Sequence, residues 1–467
     1  MSEFNPSVVT IERAMITSYD GKAYQDISTN FIVGFEIVQS MSSVAWKGTL
    51  DIMDAVGILE TFPLRGEETL ELDLRGNDLN TEVKLKAKIH KVTDIKPASS
   101  SSYITYKIHF ISATSFEASR HVITRAYKTS VNQIAKEIFN EFFSPLGQTL
   151  YTDPEIPRRV LPMATSRSKI TAEQDREFYL QPTVGILNII IPFLTPTEAM
   201  FFIAARAFNG ESPSQTFRFF ETLENFYFCT DEFFLKDIRD AQVIDLFYAP
   251  VPSVSVEDAD GQIQRVETIQ ILSRGIDTST DMFSGAYRNE VVEMDLIRRR
   301  LEINKFNFDD AEYVDMTGNR RDMSANPHTP EFRQDMFTDN NARRLMFVRN
   351  YTRPGDGRSA LNADLHFSEI AQNRISYYHH LNNVVIQAGM KGRLDIRPGM
   401  VVNLDMKEFS GTESSSRTNT LSGRYLVNST VHSKSGDDTL YTNLTLVKFD
   451  WSGMANTRSA EQPEITA

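Results

Sequence analysis

A mainly β fold carrying a mixed α and β part is predicted by three patterns in the sequence. Apolar and polar residues alternate with period two over roughly the first 115 residues, the signature of strands with one buried face. From about Arg120 the period changes to that of amphipathic helices, and from Val384 to about Phe449 the alternation returns. At 467 residues the chain exceeds one ordinary core, so two to four compact units are expected.

In the first region Leu70, Leu72 and Leu74 form one apolar face, and Val83, Leu85, Ala87 and Ile89 another, with Lys84, Lys86 and Lys88 opposite. Ile104, Tyr106, Ile108 and Phe110 continue the pattern beyond a polar connection at Pro97 to Ser102, which predicts a long-looped hairpin. Further on, Ser130 and Gln133 have the spacing of a capping box before Val131, Ile134, Ile138, Phe139 and Phe142, a helix ending near Pro145. A second helix opens at Thr195-Pro196-Thr197-Glu198 and is expected to close at Asn209-Gly210, with Ala199, Phe202 and Ile203 on its apolar face. Phe217 to Phe228, centred on Glu221 to Asn225, reads as a tight strand pair packed on these helices.

Strand patterning recurs at Val254 to Val266, turned by Asp260-Gly261, and at Val291 to Ile303, where Val292, Met294 and Leu296 alternate with Glu293 and Asp295. Phe308 to Arg358 is polar and broken by Asn-Pro and Pro-Gly, the composition of a long insertion. Ser368 is placed to cap a helix with Ile370, Ala371, Ile375, Tyr378 and Leu381 on its apolar face. The expected division is a first barrel over 1–118, a mixed α/β domain over 119–262, and a second barrel from 263–306 with 382–450. Residues 307–381 form an insertion and helix associated with the mixed domain, and 451–467 a flexible tail.

A weak repeat links the two β regions. Leu64 to Leu74 resembles Ile396 to Met406, with Arg65, Leu72 and Asp73 recurring as Arg397, Leu404 and Asp405. Each segment is followed by a second strand, a polar turn and a return strand. Two related barrels would produce this, and so would any two antiparallel hairpins.

Composition narrows the function. A formal charge of −13 argues against a protein whose main task is gripping nucleic acid. Cys229 is the single cysteine, so an internal disulfide is excluded, and a small buried apolar role is expected for it. Met1 to Thr10 lacks a secretory pattern, and Val184 to Leu194, interrupted by Asn188 and Pro192, is too short for a membrane span, so a soluble protein without membrane anchoring is expected.

Signatures of chemistry are missing. His379-His380 has no carboxylate at ligand spacing, and Glu257-Asp258-Ala259-Asp260-Gly261 departs from a calcium loop at Gln262 and reads better as a hairpin turn. There is no phosphate-cradling glycine loop, nucleophile elbow or Cys-His arrangement, so no catalytic residue, cofactor or metal is assigned. Arg320, Arg321, Arg343 and Arg344, in an Arg-rich stretch from Arg298 to Arg358, are candidate contacts for an acidic partner, although interleaved Asp309, Asp310 and Asp315 favour a mixed, solvated surface.

Three stretches resemble the baseplate hub proteins of contractile-tailed phages, which are related to the base of type VI secretion spikes. Gly48 to Asp54 followed by Leu64-Arg65-Gly66-Glu67-Glu68 is similar to that family's first barrel. Ile191-Pro192, Thr195-Pro196-Thr197-Glu198-Ala199 and Phe217 to Phe228 look like its helical segment and aromatic strand pair. Gly392 to Gly399, with Gly423 to Val427, resembles its second barrel. The family-motif residues are thus Gly48, Asp54, Arg65, Gly66, Glu68, Pro196, Arg397 and Gly399. The resemblance implies two tail-tube-like antiparallel β-barrels per chain plus a mixed α/β domain. It further implies a homotrimeric, non-enzymatic hub that joins a sixfold tail tube protein to a threefold central spike protein. Baseplate wedge proteins would surround it, genomic DNA would meet it only in transit, and it would sit in the virion after assembly in the host cytoplasm. The insertion over Phe308 to Arg358 is longer than a minimal hub needs. A tail-associated cell-wall hydrolase and a receptor-binding tail protein are the alternative readings.

Overall fold

The structure is a computed structural model that describes residues 7–28, 31–62, 64–77, 81–97, 103–144, 150–151, 169–170, 176–236, 243–248, 263–274, 278–296, 299–322, 343–348, 366–406, 421–436 and 438–448. The fold is mainly β and contains a closed six-strand barrel. Among the described residues no helix is long and apolar enough to cross a membrane.

The first unit is a curled antiparallel sheet. Its strands are β1 (Val9–Thr17), β2 (Tyr24–Asp26), β3 (Ile32–Ser40), β4 (Lys47–Asp54), β5 (Thr69–Gly76), β6 (Glu82–Pro97) and β7 (Ile104–Ser112), in the order β2-β1-β5-β6-β7-β4-β3. The period-two pattern maps directly onto the fold. Leu70, Leu72, Leu74, Val83, Leu85, Ala87, Ile89, Tyr106, Ile108 and Phe110 all lie in one core with Trp46, and β6 and β7 form the expected hairpin.

The middle unit follows. β8 (Ile123–Thr129) is a strand where the helical period was expected to begin, and it pairs with β12 (Leu187–Leu194). The helix Val131–Ile138 then starts after Ser130, but Ser130 makes no side-chain cap bond, so the expected capping box does not form. It continues as a π-helical turn, Phe139–Phe143, which turns Phe139 and Phe143 into the core. β9 (Leu150–Tyr151), β11 (Phe178–Leu180), β13 (Arg218–Glu221) and β14 (Phe226–Cys229) make a four-stranded sheet, and β10 (Lys169–Ile170) pairs with β6. The β13–β14 pair is the one the aromatic pattern predicts.

The capping box at Thr195 is present, with Thr195 and Glu198 bonded reciprocally. That helix ends at Ala204, five residues short of Asn209, and buries Ala199, Met200, Ile203 and Ala204, while Phe202 is only partly covered. Cys229 is free and buried.

The remaining strands are β15 (Ile244–Tyr248), β16 (Arg265–Arg274), β17 (Arg288–Asp295), β18 (Arg300–Asn307), β19 (Glu312–Val314), β20 (Arg320–Asp322), β21 (Arg343–Val348), β22 (Val384–Lys391), β23 (Val401–Met406), β24 (Gly423–Ser435) and β25 (Thr439–Lys448). β15, β23, β24, β25, β22 and β16 pair in a closed ring, because β16 returns to β15. β17 and β18 do not join it; they form a separate sheet with β21. On β17 both faces are covered rather than one: Val292 is buried, but so are Glu293 and Asp295, and Leu296, just past the strand, is 62% exposed. The helix Phe367–Leu381 begins after His366, which makes no side-chain cap bond, with Ser368 inside it, and its buried face includes Ile370, Tyr377, His380 and Leu381 rather than the stripe through Ala371, Ile375 and Tyr378. Asp260-Gly261 and the tail 451–467 lie outside the described residues.

The weak sequence repeat has a structural counterpart. β1, β3, β4, β5, β6 and β7 occur in the same chain order, with the same neighbours, as β15, β16, β22, β23, β24 and β25. Bulges coincide: Ile89/Lys91 matches Val427/Ser429, and Ile32/Gly34 matches Val266/Thr268. With the bulges aligned, Leu72 (opposite Leu85) and Leu404 (opposite Gly423) take equivalent places, as in the sequence alignment. A chance likeness of two hairpins would not extend to six strands and two bulges. Two differences remain: β15 runs parallel to β23, whereas β1 is antiparallel to β5, and β15 pairs with β16, whereas among the described residues β1 and β3 do not pair with each other.

Candidate functional site at the barrel seam

The two barrels are joined by main chain. β24 pairs with β3 from Ser429↔Ser40 to Ser435↔Gly34, so its outer half belongs to the first unit's sheet. At the far end of the same hairpin, Leu440 N–H donates to the Ser7 carbonyl at 2.8 Å and Val9 N–H to that of Asp438 at 3.0 Å. The β24–β25 hairpin therefore sits between β3 and β1 and closes the first barrel, and its Leu440 packs in that barrel's core. Gly34 allows the approach, since a Cβ there would lie 2.6 Å from the Lys434 carbonyl oxygen.

Side chains lock the seam to the middle unit. Gln39, fully buried, donates from Nε2 to Thr430 Oγ1 at 3.3 Å and accepts from Leu223 N–H at 2.9 Å, so one amide touches all three units. Arg397, also buried, donates to the carbonyls of Leu394 and Ile396, and its Nε lies 3.7 Å from Glu224 Oε1. Burial pushes the Glu224 carboxyl up, and Arg397 opposes that shift. Beside it Arg393 and Asp395 form a buried pair at 2.8 Å. His432 lies 3.0 Å from Thr442 Oγ1, and burial, aided by Arg397, pushes it down to about 3, so it is neutral at ordinary pH. Gly399, at φ 91, lies against the Phe234 ring, which a Cβ would meet at 2.8 Å.

The equivalent turn of the first barrel uses its motif residues differently. Glu68, buried, accepts from the backbone N–H groups of Arg65, Gly66 and Glu67 at 2.7, 3.0 and 3.2 Å. The turn is thus satisfied by itself, and the Arg65 guanidinium is left over the Tyr19 ring at 5.5 Å. Asp54 accepts from Val56, Gly57 and Leu59 N–H groups and holds the short helix Ile58–Thr61. A side chain on Gly48 would run into the Phe110 ring and the Glu36 carbonyl. Pro196 occupies the first turn of its helix. The motif residues therefore serve local turns and caps, apart from Gly48 within β4, and only Arg397 and Gly399 reach the seam.

A crystal structure of a tail protein from Neisseria meningitidis MC58 matches 96% of this chain and 98% of its own length, with a TM-score of 0.51 at 11% identity. The chain has the fold of that tail protein. The 43 kDa tail protein of prophage MuSo2 from Shewanella oneidensis matches over 94% of this chain and 99% of its own, at 11% identity and a TM-score of 0.48. An Escherichia coli component of the type VI secretion system matches over 90% and 74%, at 11% identity and a TM-score of 0.38. No family model and no curated protein matches the sequence.

Within this tail-protein fold the polar groups that sequence reasoning missed are those that dock the middle unit. Glu221, fully buried, accepts from Ser112 and Ser115 and pairs with Arg176 at 2.7 Å, tying the end of β7 to β13. Arg218 pairs with Asp231 at 2.8 Å beneath the Tyr378 ring, and Arg374 donates to the carbonyls of Ala204, Ala205 and Gln215, covering the end of the helix Pro196–Ala204. Their partners are distant in sequence, and no local signal marks them. Of the four candidate contact arginines, Arg344 is exposed and pairs with Glu290 at 2.7 Å; Arg320 and Arg321 lie in β20 and Arg343 opens β21, so two separate sheets carry them. His380 is buried against Phe308 in a stacked pair at 4.0 Å. Among the described residues no three His, Cys, Asp or Glu side chains are grouped to hold a metal.

Proposed function

We propose that this chain is a structural component of a phage-tail-type baseplate, a homotrimeric hub joining a sixfold tail tube to a threefold central spike. The observation that carries the reading is the duplication: two barrels of one connectivity per chain give six similar barrels in a trimer. The expected partners are further copies of the chain, the tube protein, the spike protein and baseplate wedge proteins, with genomic DNA only passing through the lumen. Its work is geometric, with no bond made or broken, in a virion tail assembled in the host cytoplasm. Light scattering on the purified chain, alone and with candidate spike and tube proteins, should give three times the 53.1 kDa chain mass. A monomer under every condition would sink the reading.

A further inference from the structure

Two strand edges remain open, and the internal repeat says what they match. In β24, residues 423–426 pair with β23 and residues 429–435 pair with β3. The equivalent strand β6 pairs with β5 only as far as Lys88. Beyond the shared bulge, Lys91 to Pro97 run on with β7 along one side, and among the described residues no strand pairs with the other. This arm is exposed on both faces at Asp94, Ile95, Lys96 and Pro97, with Ile95 at 57%. It occupies the place that β24 uses to reach the neighbouring barrel.

The complementary edge is on β16. Its equivalent, β3, carries β24 along Gly34 to Ser40; aligning the Ile32/Gly34 and Val266/Thr268 bulges puts Gly34 to Ile37 on Thr268 to Ile271, and a further β16 bulge at Ile271/Ser273 puts Val38 on Ser273. β16 pairs with β15 only at Arg265 and Val266, so among the described residues no strand borders it on that side from Glu267 onward. Ile271 and Leu272 are exposed there, at 36% and 50%. Open edges are templates for pairing.

We infer that a second copy of this chain fills both: β6 of one copy adds to β16 of the next, repeating between chains the β24 to β3 contact made within a chain. This rests on the trimeric reading above and gives it a closing rule, since three internal and three external joins complete a ring of six barrels. The contact continues an interface already present in the molecule. The register follows as well. β6 has one further bulge, at Thr93/Lys96 with Asp94 at φ 55, so Lys96, opposite Thr105, takes the place of Ser433. Ser433 faces Glu36, whose counterpart is Gln270. Lys91, Lys96 and Pro97 limit indiscriminate pairing by the arm before assembly.

The test uses the full chain carrying Lys96→Cys with Ile269→Cys, Gln270→Cys or Ile271→Cys in turn, mildly oxidised and run without reductant, with the mass read by light scattering in parallel. Directly opposed cross-strand positions bring Cβ atoms within about 5 Å. The expected result is covalent dimer and trimer, strongest for Lys96→Cys with Gln270→Cys, and none for Lys96→Cys alone, since Cys229 is buried. A sample that is trimeric in solution yet gives no intermolecular bond with any pair overturns the edge pairing and leaves the hub reading standing. A sample that stays monomeric, alone and with spike and tube proteins, overturns both.

Discussion

Arg397 and Arg65 occupy equivalent places in the two barrels but bear different loads. Arg397 is buried, 3.7 Å from Glu224 and hydrogen-bonded to two carbonyls, so Arg397→Ala would leave the largely covered Glu224 carboxylate without its cation and open a cavity at the seam. The expected loss is about 3 kcal/mol or more in denaturant titration, whereas Arg65→Ala should fall within about 0.5 kcal/mol, because its turn is held by Glu68 and backbone. Glu232 gives a pH dependence. Burial pushes its carboxyl from 4.5 up to about 7, against hydrogen bonds from Ser212 and Ser214. The folded value lies above the unfolded one, so the folded state favours the protonated form, and stability falls as pH rises from about 4.5 through about 7. Thermal melts across that window should show the decline, and Glu232→Gln, which keeps the acceptor oxygen, should flatten it.

At the level of the strand, the seam depends on close backbone approach. Gly34→Val would press against the Lys434 carbonyl and force β24 away from β3, a cost on the order of 2 kcal/mol or more. Hydrogen exchange should then show lost protection in Ser429 to Ser435, with β5 and β6 unchanged. Such contacts explain what could be read beforehand. β5, β6 and β7 were legible because one face is core and the other solvent, so burial follows the residue parity. The start of the helix at Pro196 was legible because its cap is local. β17 misleads because both its faces are covered: Glu293 is buried as Val292 is, bonded by Asn304 at 3.3 Å from the adjoining β18, and an alternating strand does not declare how many of its sides neighbours will cover. Ser130 misleads because β8 runs directly into the helix without the cap bond forming. Gln39 and Glu221 gave no signal, since each answers to a partner in another unit.

For the whole molecule, connectivity proves more durable than sequence. The two halves share three identities in the eleven residues aligned around Arg65 and Arg397, yet they agree in strand order and in the position of two bulges. The Neisseria tail protein likewise shares the fold across nearly the full chain at 11% identity. Bulges fix register through backbone geometry, and many side chains satisfy the same geometry.

The shared hairpin also sets a timetable for synthesis. Gln39 meets Thr430 391 positions later in the chain, so the first barrel cannot seal until synthesis has passed the β24–β25 hairpin. Until then β1 and β3 stand apart with an apolar interior between them, a state that invites chaperone capture and off-pathway association. The β24–β25 hairpin is thus a late check: a chain stopped before it leaves both barrels open.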